Sequence, residues 1–221
     1  MPLLNRLGNC STMPRLYLLG GENVFKRSAQ KVNEQAFQDV EERPVVAVFP
    51  WARASFDNSY RKRKLLTNYF ISLGAGLVDF IDYSDSRETI EQKLDESNLI
   101  YLTGGLVVAL IERLRNMKVD DMLRSYQGVI VGRSAGALAL CRRCVITGRW
   151  SKQVWLVDGL GLADITLKAH YKPRKDPVLQ SLSKDEKIYA VPSESAIVYD
   201  NGVRSHIGKA YLFENGVRKR L

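Results

Sequence analysis

A chain of 221 residues with 45% apolar residues can bury one substantial core, and its length predicts a single domain over residues 1–221. No unbroken apolar stretch approaches the roughly 20 residues of a membrane-spanning helix, and the opening segment has too short an apolar run for a secretory signal. Cytoplasm is therefore the expected compartment, with no membrane partner. The formal charge of +9, from 33 basic against 24 acidic residues, favours acidic ligands by long-range steering; the clusters Arg61–Lys64 and Arg218–Arg220 lack interleaved aromatics and read as solvated faces, which argues against specific nucleic-acid binding.

Residues 1–14 show no periodic pattern and read as an extension, with Met13 as a second candidate start. Apolar, β-branched runs of strand length then recur at 15–19, 44–49, 76–81, 98–102 and 128–131. Between them, residues 26–40, 58–73, 86–96 and 107–117 carry apolar side chains at helical spacing. This alternation predicts an α/β fold, a three-layer sandwich whose mostly parallel sheet is covered by helices on both faces. Gly20-Gly21 after the first run resembles a phosphate-binding turn, but neither G-x-G-x-x-G nor G-K-S/T follows and no nucleotide is expected. From about residue 145 the rhythm changes, and Asn-Gly pairs at 201–202 and 215–216 predict C-terminal β-hairpins.

The fifth apolar run leads directly into Gly132-Arg133-Ser134-Ala135-Gly136. A buried strand ending there would deliver Ser134 to the carboxyl edge of the sheet, where open α/β folds bind ligands, with glycines at the spacing of a nucleophile elbow. The competing structural role for Ser134 is to N-cap the helix that follows. Gly104 and Gly105 close another strand ahead of another helix, and backbone N–H groups there could complete an oxyanion hole with that of Ala135.

A serine nucleophile needs a base, and the chain has two histidines. His206 lies within a strand-like run and reads as structural, whereas His170 ends such a run before a polar, proline-bearing loop, as a catalytic residue at a sheet edge would. Glu194 and Asp158 are both candidates for the carboxylate that orients it, and spacing does not choose between them. Arg133 is either a contact for an acidic substrate or a solvent-facing arginine. The three cysteines cannot all pair within the chain; Cys141-x-x-Cys144 falls in the helix after Ser134, with no second pair or nearby histidine, so no metal or redox site is expected.

The ordered set Y-L-T-G-G (101–105), G-R-S-A-G-A-L (132–138), D-G-L-G-L (158–162), A-H-Y (169–171) and P-S-E-S-A-I-V-Y-D-N-G (192–202) resembles the peptidase E and cyanophycinase family of serine peptidases, from about residue 15 onward. The resemblance implies a class I glutamine-amidotransferase-like α/β fold without cofactor or metal. It implies Ser134 as nucleophile, His170 as base, Glu194 as third member, and Gly105 with Ala135 as oxyanion donors. The implied reaction is hydrolysis of small peptides next to an acidic residue, or of β-aspartyl linkages, with a homodimer as an open option. Leu106 and Val108 depart from the asparagine and aromatic of many relatives, leaving a Leu106 substrate contact in question, and Arg149 stands where some relatives carry an acid. A non-catalytic small-molecule or peptide-binding homologue with a degenerate site is the alternative reading.

Overall fold

Runs of valine, isoleucine and leucine without polar alternation suit strands covered on both faces. The five runs form the parallel part of a seven-stranded sheet in the computed structural model, which describes residues 14–40, 42–147 and 154–221. The extension expected at 1–14 lies, apart from Pro14, outside the described residues, as does Arg149. In chain order the elements are β1 (Arg15–Leu19), α1 (Gln30–Gln38), β2 (Val45–Phe49), α2 (Arg63–Ser72), β3 (Leu77–Phe80), α3 (Arg87–Asp95) and β4 (Leu99–Leu102). They continue with α4 (Val107–Asn116), α5 (Val119–Ser125), β5 (Val129–Arg133) and α6 (Ala135–Leu140).

β1, β5, β4, β2 and β3 lie side by side in that order and all run parallel. Successive side chains alternate between two cores, as the period of a strand requires. Tyr17, Leu19, Val129 and Val131 face α1 and α2, while Leu16, Leu18 and Ile130 face α3 to α6. In α4, Val107, Leu110, Ile111 and Leu114 are the buried positions, the apolar stripe of an amphipathic helix.

Beyond α6 the chain builds a second sheet. Its strands come from β6 (Cys141–Thr147), β7 (Val154–Asp158), β8 (Ala163–Lys168) and, after α7 (Asp176–Leu182), from β9 (Ile188–Ala190). β10 (Ala196–Asp200) and β11 (Val203–Ile207) return antiparallel to the first sheet beside β1, and β12 (Tyr211–Glu214) with β13 (Val217–Arg220) completes the second. The six-stranded order is β13, β12, β9, β8, β6, β7. The outer face of this second sheet packs on α7 through Val145, Leu179, Ile188 and Phe213.

The helical placement of Cys141-x-x-Cys144 is corrected here, because α6 stops at Leu140 and both cysteines stand on β6. Cys141, Val145 and their neighbours pair with β8 on one side and β7 on the other, so strand pairing overrides the helical pattern of small residues before it. Both thiols are buried and donate to α6 carbonyls, Cys141 Sγ to Ala137 O at 3.1 Å and Cys144 Sγ to Leu138 O at 3.0 Å. No described helix is long and apolar enough to cross a membrane.

Candidate active site

The carboxyl end of β1 gathers three loops. Leu19 O accepts the N–H of Ser134 at 2.8 Å, Gly20 O that of His170 at 2.9 Å, and Gly21 O that of Glu194 at 2.8 Å. All three donors have left-handed φ values, 54°, 51° and 69°, which only a locked local fold imposes on residues other than glycine.

The two glycines are what lets the loops close. A Cβ on Gly20 would lie 2.1 Å from the Pro192 carbonyl oxygen, and one on Gly21, itself at φ +153°, 2.1 Å from Cε1 of His170. The glycine pair that resembles a phosphate turn is a packing device for the imidazole and for the loop that carries Ser193.

β5 ends at Arg133, and Ser134 follows in a non-helical conformation at φ 54° and ψ −104°. Its side chain makes no capping hydrogen bond to α6. The hydroxyl instead lies 2.7 Å from Nε2 of His170. Gly136 permits the close strand-to-helix packing that sets this turn, since a Cβ there would meet the Leu102 carbonyl oxygen at 2.4 Å.

The other imidazole nitrogen, Nδ1, lies 3.0 Å from the hydroxyl of Ser193. Glu194, the next residue, is exposed and is held through its backbone rather than by a contact of its carboxylate with the ring. Asp158 ends β7 in the second sheet and pairs with Arg143 at 3.4 Å. The structure thus brings Ser134 and His170 together and seats a hydroxyl where a carboxylate was expected. His206 stands on β11, its Nδ1 3.1 Å from the Gly208 carbonyl oxygen.

The charges that shift the imidazole are of one sign. Its pKa lies below the ordinary histidine value, first because the side packed on Gly21 is desolvated and then because Lys168, Arg133 and Lys172 oppose a further positive charge. Lys168 closes β8, is 7% exposed and donates from Nζ to the Ala169 carbonyl at 2.6 Å. Burial, helped by Lys175, lowers its ammonium to about 8. Lys168, Lys172, Arg174 and Lys175 line, with Thr147, His170 and Ser193, a pocket of about 430 Å³.

The solvent-facing reading of Arg133 is corrected by its burial. Its side chain is 3% exposed, with the guanidinium 5.8 Å from the Tyr101 ring centroid, because the alternation of β5 turns this position toward the core of α1 and α2. Gly104 lies against the nucleophile, where a Cβ would come 3.2 Å from that of Ser134. Gly105 follows, and the N–H of Leu106 donates to Ala52 O at 2.6 Å while the Leu106 side chain is 60% exposed. Ala135 opens α6, where an N–H has no helical carbonyl to bond.

Sequence reasoning missed Ser193 and Lys168. A serine beside a glutamate gives no signal of its own, whereas the lysine had one, a charge at the closing position of an apolar strand.

The model of peptidase family S51 matches residues 16–207. Among solved structures, a candidate peptidase E protein from Listeria monocytogenes EGD-e is similar at 21% identity and a TM-score of 0.64, over 95% of this chain and 99% of that one. A peptidase from an acI-B1 Actinobacterium is similar at 19% identity and a TM-score of 0.68, over 96% of this chain and 95% of that one. No curated protein matches the sequence.

Proposed function

The chain belongs to peptidase family S51, a family of serine peptidases, and from that premise we propose that it hydrolyses small peptides or β-aspartyl-type linkages with an acidic residue at the scissile bond, through an acyl-enzyme on Ser134. The observation that carries this reading is the 2.7 Å approach of the Ser134 hydroxyl to Nε2 of His170. Nε2 takes the hydroxyl proton as Oγ attacks the carbonyl carbon, and gives it to the leaving nitrogen as the C–N bond breaks. A water activated in the same way then releases the acyl group.

Ser134 acts here from a nucleophile elbow, and its strained φ and ψ and the glycine-dependent packing of α6 support that assignment. The oxyanion of the tetrahedral intermediate is received by the N–H groups of Gly105 and Ala135. The four cations of the pocket beside His170 support an acidic substrate, since a carboxylate entering there meets no like charge among the lining residues. The unit is a single peptidase domain, a reading supported by the core that runs from the first sheet into the second.

Two measurements test the proposal. A fluorophosphonate probe labels wild type at Ser134 and leaves folded Ser134→Ala unlabelled, and a dipeptide library shows acidic dipeptides turned over faster than neutral or basic ones. Folded wild type that resists the probe overturns the nucleophile and favours a binding protein; equal or faster turnover of basic dipeptides overturns the acidic substrate.

A further inference from the structure

We infer that the hydroxyl of Ser193 is the positioning group for the His170 imidazole, so that the relay ends in a second serine instead of a carboxylate. This rests on the proposed role of His170 as base.

The two ring nitrogens each face a hydroxyl, Ser134 Oγ at 2.7 Å from Nε2 and Ser193 Oγ at 3.0 Å from Nδ1. For Nε2 to accept a proton it must be the bare nitrogen, which places the ring hydrogen on Nδ1, where it donates to Ser193. Ser193 is fixed for this task by its neighbours. Pro192 before it rests its carbonyl against Gly20, and Glu194 after it ties its N–H to Gly21 O. The hydroxyl therefore selects the tautomer and the ring plane as a carboxylate would, while keeping its own proton throughout the reaction.

What a hydroxyl does not supply is negative charge for the imidazolium. The charges acting on the ring are Arg133 from β5, Lys168 from β8 and Lys172 from the segment after His170, and Arg174 and Lys175 of that segment line the same pocket. The nearby carboxylates are turned to other partners or to solvent. Glu22 accepts from Tyr101 and Asn33, and Glu194 is exposed. This field holds the ring neutral, ready to take a proton, and lends its attraction to the oxyanion and to an acidic substrate.

The test is the pH dependence of fluorophosphonate labelling at Ser134, with NMR titration of the imidazoles, of which the chain has two. Ser193→Ala is expected to slow labelling roughly tenfold, the worth of one good hydrogen bond, and Ser193→Thr to restore most of the rate. Ser193→Asp places a carboxylate on Nδ1 and should raise the His170 titration and the acid limb of labelling by about one pH unit or more, which reports that the side chain at 193 faces the ring, while the loss in Ser193→Ala and its rescue by threonine report the positioning role. Glu194→Gln should alter the rate by less than about twofold, the usual reach of a distant surface charge.

Ser193→Ala labelled as fast as wild type, or Ser193→Asp with an unmoved His170 titration, overturns the proposal. So does a tenfold loss in Glu194→Gln alone, which returns the role to that carboxylate. If wild type is not labelled at all, the nucleophile reading falls, and the His170 titrations still decide whether Ser193 holds the ring. If Ser193→Ala does not fold, the threonine and aspartate variants decide it.

Discussion

The ring of His170 occupies the space that a side chain on Gly21 would need, with Cε1 2.1 Å from where a Cβ would stand. Gly21→Ala therefore cannot coexist with the observed ring position, and its φ of +153° is costly for alanine in any case, by about 1–3 kcal/mol. The expected outcome is a folded protein with a lowered Tm and labelling of Ser134 slowed by about a hundredfold or more, because small displacements of a catalytic group are costly. Labelling at the wild-type rate would show that the ring has another seat.

Only neutral His170 can act as base, so the acid limb of kcat/KM reports its pKa in the free enzyme. Desolvation of the ring side packed on Gly21 and three cations place that pKa below the ordinary 6.5, and activity should persist below pH 6.5 before it is lost. Added salt should move the limb only slightly, since desolvation is the first cause and two of the three cations, Arg133 and Lys168, are buried beyond effective screening. A low-salt limb at or above 6.5 contradicts the arrangement.

Lys168 carries its charge below about pH 8 and loses it above. KM for acidic dipeptides should rise as pH passes that value, while neutral dipeptides show no such step, and Lys168→Met should abolish the step. The same lysine weakens the fold when charged. Its folded pKa lies below the unfolded 10.5, so the unfolded chain binds more protons between about 8 and 10.5; this residue's contribution to stability then rises with pH across that window and is least favourable below it. Lys168→Met should accordingly raise Tm at pH 7 by several degrees. A lowered Tm would show that its bond to Ala169 outweighs the desolvation.

Burial raises both strand thiols, Cys144 to about 12 and Cys141 well above the ordinary range. Iodoacetamide at pH 8 should leave Cys141 and Cys144 untouched in the native protein and modify them after unfolding, as peptide mass spectrometry will show. Modification of either in the native state at the rate of a free thiol would contradict their burial.

The first sheet was legible because its strands announce themselves as bare apolar runs, and β1 spans the run Arg15–Leu19 itself. The second sheet was legible only in the turn signal at Asn215-Gly216, between β12 and β13. β6 follows α6 without a loop, so Ala-Leu-Ala-Leu runs into Cys-Arg-Arg-Cys with no turn residue to mark the change of period. α5 buries only Val119 and Leu123, and α7 is masked by Pro177 in its first turn and by the charged residues before it, so neither helix shows a strong stripe. Ser134 and His170 could be read because each follows an apolar strand that stops abruptly. The group on Nδ1 could not, because Ser193 and Glu194 are adjacent and the choice between them depends on a backbone turn at φ 69°.

Leu19, Gly20 and Gly21 offer consecutive carbonyls to Ser134, His170 and Glu194, all three of which lie in the second half of the chain. Contacts so distant in sequence close late, because each must overcome the entropy of a long loop. β1 is then a template on which the reactive loops are cast, and the site is expected to be inert until that strand docks. During refolding, secondary structure should return before Ser134 becomes reactive, and the interval between them measures the arrival of one short segment. Cutting the chain in the exposed turn after Glu22 would separate that template from everything it organises, leaving two silent fragments whose reunion, rather than whose individual folding, would restore the site.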